Sequence, residues 1–292
     1  MKELLQAHLS RMVRAMNRNI TDTLISDGYL SKLNIFDEVG STNALAKELV
    51  QSSETIPVLP QLFVADMQTA GRGRLGRSWT SPAGTGIWMS YLSKPDISPD
   101  LISGITILAA LAVTKALTEY GSRHDLSISP MIKWPNDIVV NGKKICGILT
   151  ELVSIPNPGS YDNYVICGIG INVNTESFPE DIADKATSLY LETGKMWIRE
   201  EIIRDTIVFL SEYISEYEKQ NSLEFIREEY NSYLISLNQE VRLIDNSSDF
   251  SDKIYTSKGI DATGALLVTD PDGNTSAVRS GEVSVRGLYG YT

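Results

Sequence analysis

The feature that most limits what this chain can fold into is the dipeptide Asn141-Gly142. It separates Asp137–Val140 from Lys144–Leu152, two runs rich in Val, Ile and Leu. A two-residue hairpin turn needs positive φ at both central positions, which Asn and Gly tolerate, and such a turn matches the twist of the flanking strands. An antiparallel pair is therefore expected near the middle of the chain. Residues 163–174 (NYVICGIGINVN) add a further apolar strand, and 33–39, 61–67 and 86–93 read as three earlier ones. Between them, Gly40-Ser41-Thr42-Asn43 offers N-cap groups to a helix reaching residue 52. Residues 101–120 are apolar nearly all round, as in a buried helix, and 198–233 read as helical with one apolar face. From about 236 the pattern changes to short strands with Asp-Ala-Thr-Gly and Pro-Asp-Gly-Asn turns. The expectation is an α+β chain. A short helical extension covers 1–30, a mixed-sheet domain 31–235, and a small β-barrel 236–292.

A second stretch carries the chemistry. Gly71-Arg72-Gly73-Arg74-Leu75-Gly76 has the G-x-G-x-x-G spacing of a dinucleotide loop. That loop must open a helix whose N-terminus holds a pyrophosphate. Here Arg-Ser-Trp-Thr-Ser-Pro-Ala-Gly-Thr-Gly follows, which does not make a helix. The P-loop spacing G-x-x-x-x-G-K-[ST] is absent. The stretch reads instead as an anion wrap. Glycines let backbone N–H groups approach a ligand, Arg72, Arg74 and Arg77 add forked donors, and Trp79 offers a face for a planar base. The plainer alternative is a solvated basic loop.

Composition removes several function classes. A net charge of −11 argues against general nucleic-acid binding, which rests on phosphate neutralisation. The first residues mix charges without an apolar core, so no signal peptide is expected, and ILAALAV (107–113) is too short to cross a bilayer. The expected compartment is the cytoplasm, with no membrane partner. Cys146 and Cys167 each sit in Ile-Cys-Gly-Ile and read as buried strand thiols, a disulfide between neighbouring strands being the alternative in an oxidising compartment. His8 and His124 have no metal or triad spacing.

In chain order, GSTN, QTAGRGRLGRSW, KWPND and GIGINVN resemble the biotin–protein ligase family, and GIDATGALLV with GEVSVRG resembles that family's C-terminal domain. The resemblance runs over roughly 33–292. It implies the mixed-sheet catalytic domain of biotin and lipoate ligases followed by an SH3-like domain. It also implies a two-step reaction. Biotin's carboxylate attacks the α-phosphate of ATP, and a lysine of a biotin carboxyl carrier domain then takes the biotinyl group from the adenylate. Mg²⁺ accompanies ATP, riding on its phosphates, and no residue pattern names metal ligands. A homodimer is compatible with the resemblance. Members that repress transcription carry an N-terminal winged helix. Residues 1–30 are too few for one, so the expectation is a ligase without a DNA partner.

Against that chemistry, Lys133 and Arg74 are the expected catalytic cations. Lys133 ends a strand, and Pro135 biases Trp134 to an extended conformation that would aim it. Ser41, Thr42, Asn43, Gln68, Gly71, Arg72, Gly73, Arg74 and Lys133 fall at the family's biotin positions, with neutral polar groups for a ureido ring. Ser41 or Thr42 reads equally as a helix cap. Gly147, Gly168 and Gly170 leave room on strands for a flat wall against biotin's ring, or for tight packing. The resemblance gives Arg74, Arg77, Trp79, Asn136 and Asn172 to the adenylate. Glu282 and Arg286 either reach the nucleotide from the barrel or form a surface pair. Asp137 either joins the site or braces the hairpin. Leu75 stands where many members have a third basic residue. Two rivals remain at this stage: a lipoate or octanoate ligase of related fold, and a non-catalytic biotin or nucleotide sensor.

Overall fold

The computed structural model describes residues 18–52, 57–244, 253–279 and 284–287. A helix over Arg18–Ser26 (α1) precedes β1 (Lys32–Val39), and the part of the N-terminal reading that falls on 1–17 lies outside the described residues. The chain continues as α2 (Thr42–Ser52), β2 (Gln61–Gln68), β3 (Gly86–Ser93), α3 (Ser103–Arg123) and β4 (Met131–Lys133). Next come β5 (Asp137–Val140), β6 (Lys143–Asn157) and β7 (Ser160–Asn172). Helices α4 (Leu189–Thr193), α5 (Arg199–Gln220) and α6 (Arg227–Tyr233) follow.

Seven strands form one sheet in the order β1-β2-β3-β7-β6-β5-β4. The β1–β2 pair is parallel and the other pairs are antiparallel, so the sheet is mixed. The Asn141-Gly142 turn closes β5 onto β6 with φ of 49° and 74°, the positive pair the dipeptide predicted. Ile138 pairs with Cys146, but Val139 pairs with Lys144, so β6 carries one extra residue there.

Helix α2 covers one face of the sheet, where Ala46 and Val50 pack with Phe63, Leu92, Tyr164 and Ile166. Helices α3 and α5 cover the other, which explains why β2 and β3 are apolar on both sides. The stretch Pro99–Arg123 is long and apolar enough to cross a membrane by composition, yet 72% of its apolar window is buried against protein. It is the central core helix. The sequence suggested one helix over 198–233. The chain instead leaves α5 at Asn221, which takes the left-handed conformation at φ 50°, and buries Leu223 and Ile226 before α6 begins.

The C-terminal strands are β8 (Glu240–Ile244), β9 (Ile254–Ile260), β10 (Leu266–Thr269), β11 (Thr275–Val278) and β12 (Ser284–Gly287). They form an antiparallel sheet in the order β11-β10-β9-β8-β12. Its turns use their aspartates as the sequence suggested. Asp261 Oδ1 accepts from the backbone N–H groups of Thr263 (2.8 Å) and Ala265 (3.0 Å). This sheet docks on the first one: Trp134 Nε1 donates to the Gly264 carbonyl at 3.0 Å, and Val241, Leu243, Leu266 and Val268 join the main core.

Candidate active site

A narrow cleft of about 50 Å³, open to solvent on one side, lies where the N-terminus of α2 and the 71–79 loop meet the middle of β6 and β7. The loop is a folded hairpin here. Gln68 pairs with Ser81 and Arg72 with Ser78, and the Trp79 N–H donates to the Gly71 carbonyl at 2.9 Å. A Cβ on Gly71 would lie 2.4 Å from the Trp79 carbonyl oxygen. Gly71 therefore serves this turn, and its side of the loop faces Trp79 and Ser81.

The cleft has two chemically different ends. One end is neutral and hydrogen-bonded. Gln68 Oε1 accepts from the Thr42 N–H at 2.9 Å, and Gln68 Nε2 donates to Ser81 Oγ at 3.0 Å. Ser90 Oγ lies 2.7 Å from Thr42 Oγ1 and 2.5 Å from Asn43 Oδ1. Ser41, Thr42 and Asn43 are all buried at this end. Asn43 is held over Gly168, whose missing Cβ would fall 2.2 Å from Asn43 Oδ1.

The other end is cationic. Arg74 Nη1 donates to Asn136 Oδ1 at 2.8 Å, and Asn136 Nδ2 donates to the Ile148 carbonyl at 3.0 Å, so the guanidinium is tied to β6. Burial lowers the pKa of Arg74, against the opposing pull of Asp137. A guanidinium still keeps its proton at neutral pH. Beside it, Lys144 Nζ pairs with Asp137 Oδ1 at 2.6 Å and lies 5.1 Å from the Trp79 ring centre.

Lys144 lines this cleft. Lys133 is buried at the end of β4, opposite Asp137 in register, and does not line the cavity. Sequence reasoning missed Lys144 for a physical reason. In a regular strand, residues three apart point to opposite faces. Lys144 should then face away from Gly147. The extra residue in β6 sends both Ile145 and Cys146 into the core and returns Lys144 to the face it shares with Gly147.

Two of the strand glycines face a side chain of the chain itself. Gly147 and Gly170 are cross-strand partners, and Trp79 lies over both. Added Cβ atoms would fall 2.9 and 2.7 Å from the indole. The wall expected of these glycines is thus covered by Trp79, whose buried Nε1 has no hydrogen-bond partner. A neighbouring pocket continues past Trp79 between Asn172, Phe178, Ile182 and Ala186. Arg72 and Gly73 line the cleft from the loop, with Arg72 exposed, and Arg77 is exposed and lines neither pocket. Arg286 sits on β12 opposite Arg242, its side chain outside the described residues, as is Glu282 entirely. Both cysteines are free and buried, so the disulfide alternative falls away.

An elongated ligand with a neutral, hydrogen-bonding head and an anionic end fits this arrangement. Residues 36–172 match the biotin/lipoate A/B protein ligase family, and 236–286 match the biotin protein ligase C terminal domain. The chain is 36% identical over 239 residues to the bifunctional ligase/repressor BirA of Bacillus subtilis, covering 81% of this chain and 69% of that one. It belongs to the biotin/lipoate A/B protein ligase family. A second relative in the family is the biotin–[acetyl-CoA-carboxylase] ligase of Mycobacterium tuberculosis, 27% identical over 276 residues, which cover 91% of this chain and 94% of that one. Among solved members of the family, the biotin protein ligase from Aquifex aeolicus in complex with biotin and ATP superposes with a TM-score of 0.71 at 32% identity, covering 88% and 99%.

Proposed function

We infer that this chain is an ATP-dependent biotin–protein ligase that makes biotinyl-adenylate and passes biotin to a lysine of a biotin carboxyl carrier domain. The observation that carries the reading is one cleft with a neutral polar end at Thr42, Asn43 and Gln68 and a cationic end at Arg74 and Lys144. A ureido ring is neutral and needs several hydrogen-bond partners when buried. A carboxylate approaching a phosphate needs fixed positive charge. A straight acyl chain, as in octanoate, offers no donor or acceptor to the polar groups at this end.

In the first step a biotin carboxylate oxygen attacks the α-phosphorus, and the bond to pyrophosphate breaks with its electron pair leaving on pyrophosphate. Arg74 and Lys144 offset the two anions, with Asn136 and Asp137 holding them in place. In the second step a neutral lysine amine attacks the acyl carbon and AMP departs. The adenine is assigned to the pocket beyond Trp79, near Asn172. Mg²⁺ would ride on the phosphates of ATP, where it would neutralise leaving-group charge. The unit 31–235 would hold this chemistry, with 236–292 docked through Trp134. We place the reaction in the cytoplasm and, on the charge of −11, without a DNA partner. A homodimer would pair through an edge of the seven-stranded sheet, such as β1.

The test is transfer. The purified protein, ATP, Mg²⁺ and biotin are incubated with an apo carrier domain and analysed by mass spectrometry. One biotinyl group on one lysine is expected. Modification with lipoate but not biotin would overturn the reading.

A further inference from the structure

The loop that carries Arg72, Arg74, Arg77 and Trp79 leaves the sheet after Gln68 and rejoins it at Gly86. Its two feet are the neighbouring strands β2 and β3, whose pairing runs from Gln61 with Leu92 to Ala65 with Trp88. Each foot is tied outward. The Thr69 and Ala70 N–H groups donate to the Val39 and Gly40 carbonyls at 2.9 and 2.8 Å, and the Thr85 carbonyl accepts from the Asn174 N–H at 2.6 Å. What ties the feet to each other beyond Ala65 and Trp88 comes from outside the sheet. Arg199 opens α5 and is 2% exposed. Its Nη1 donates to Asp66 Oδ1 at 2.9 Å and to the Gly86 carbonyl at 3.1 Å. Asp66 stands near the end of β2, and Gly86 is the first residue of β3. One guanidinium nitrogen therefore bridges the entry and the exit of the loop. A cation this deeply buried needs paired donors, so the bridge is fixed rather than optional.

We propose that Arg199 is a positioning residue for adenylate formation, clamping the two feet of the 69–85 loop and so fixing where Arg74 and Trp79 stand over β6 and β7. It acts through Asp66 and Gly86 and not on substrate. The proposal rests on the ligase reading above and deepens it, since it names what holds the loop's cation at the reacting end.

The test is limited digestion with trypsin, for which Arg72 and Arg77 are exposed cleavage points on a folded hairpin. When opening and closing are fast, cleavage follows the population of the opened loop. In Arg199→Met, and independently in Asp66→Ala, cleavage after Arg72, Arg74 and Arg77 should rise about tenfold, the effect of losing one charge-assisted hydrogen bond. Cleavage elsewhere in the same digest should stay within about twofold of wild type, as expected of a local opening. In ATP–pyrophosphate exchange both variants should lose about tenfold in kcat and raise the ATP KM, with the biotin KM changed less than about threefold. The biotin end is spared because α2 carries Thr42 and Asn43. Arg199→Lys should recover both readouts to within about threefold, because the two bonds converge on one nitrogen and an ammonium has donors for both. Loop cleavage at the wild-type rate in both variants would overturn the proposal. So would faster cleavage spread evenly over the chain, or faster loop cleavage with unchanged exchange. Absence of biotin-dependent exchange in the wild type would instead overturn the ligase reading, independently of the digest.

Discussion

At the scale of single residues, the site turns on two cations and one indole. Lys144→Ala removes a fixed charge that Asp137 holds 2.6 Å away. Its expected cost is on the order of 10²–10³ in adenylate formation, measured as the initial rate of pyrophosphate exchange. The same measurement on Lys133→Ala tests whether the buried lysine at the end of β4 shares that work, and a near-normal rate would remove it from the mechanism. Arg74 closes the cationic end from the loop. Arg74→Gly should let biotinyl-adenylate escape and label the enzyme's own lysines. Streptavidin blots of wild type and variant test this, and equal labelling would contradict it. Most of this constellation was legible in the sequence. Ser41, Thr42, Asn43, Gln68, Arg74, Asn136 and the strand glycines were named there, and the structure gathers them in one cleft. Lys144 was hidden because a one-residue bulge reverses the face a side chain takes, and no composition signal marks it.

At the scale of elements, the cleft depends on helices and strands brought together from opposite ends of the catalytic domain. Helix α2 delivers Thr42 and Asn43, and the β6–β7 hairpin delivers the bed on which Trp79 rests. Gly170→Ala should lift the indole, since the new Cβ would come 2.7 Å from its nitrogen. The expected outcome is a raised ATP KM with little change in the KM for biotin, read from exchange kinetics. Equal changes in both would place Trp79 elsewhere in the reaction. Helix α3 bears no site group, yet it carries the fold. Leu108 is fully buried there, and Leu108→Ala should cost about 2–5 kcal/mol in urea unfolding. Strand and hairpin positions were readable because alternation and the Asn-Gly turn are local signals. The break at Asn221 was not, since the chain turns there to bury Leu223 against the C-terminal sheet, a contact set by tertiary packing.

At the scale of the whole molecule, one core joins both sheets, so the C-terminal unit should melt with the catalytic sheet in a single transition. Burial also sets an alkaline limit. The Cys167 thiol is pushed from 9.0 to about 12, and the Tyr91 hydroxyl from 10.0 to about 12, chiefly by desolvation. Groups whose folded pKa is raised give their stabilisation in full below the unfolded value and lose it as pH climbs toward the folded one. Urea midpoints should therefore hold up to about pH 9 and fall steadily above it. A flat profile to about pH 11 would mean these groups are exposed. The central claim, that one cleft couples a ureido head to phosphate chemistry, is tested most directly by ATP–pyrophosphate exchange with biotin, lipoate and octanoate supplied separately. Exchange that depends on biotin alone is expected. Exchange with lipoate or octanoate but not biotin would contradict the polar head pocket, and binding of biotin with no exchange at all would contradict the ligase.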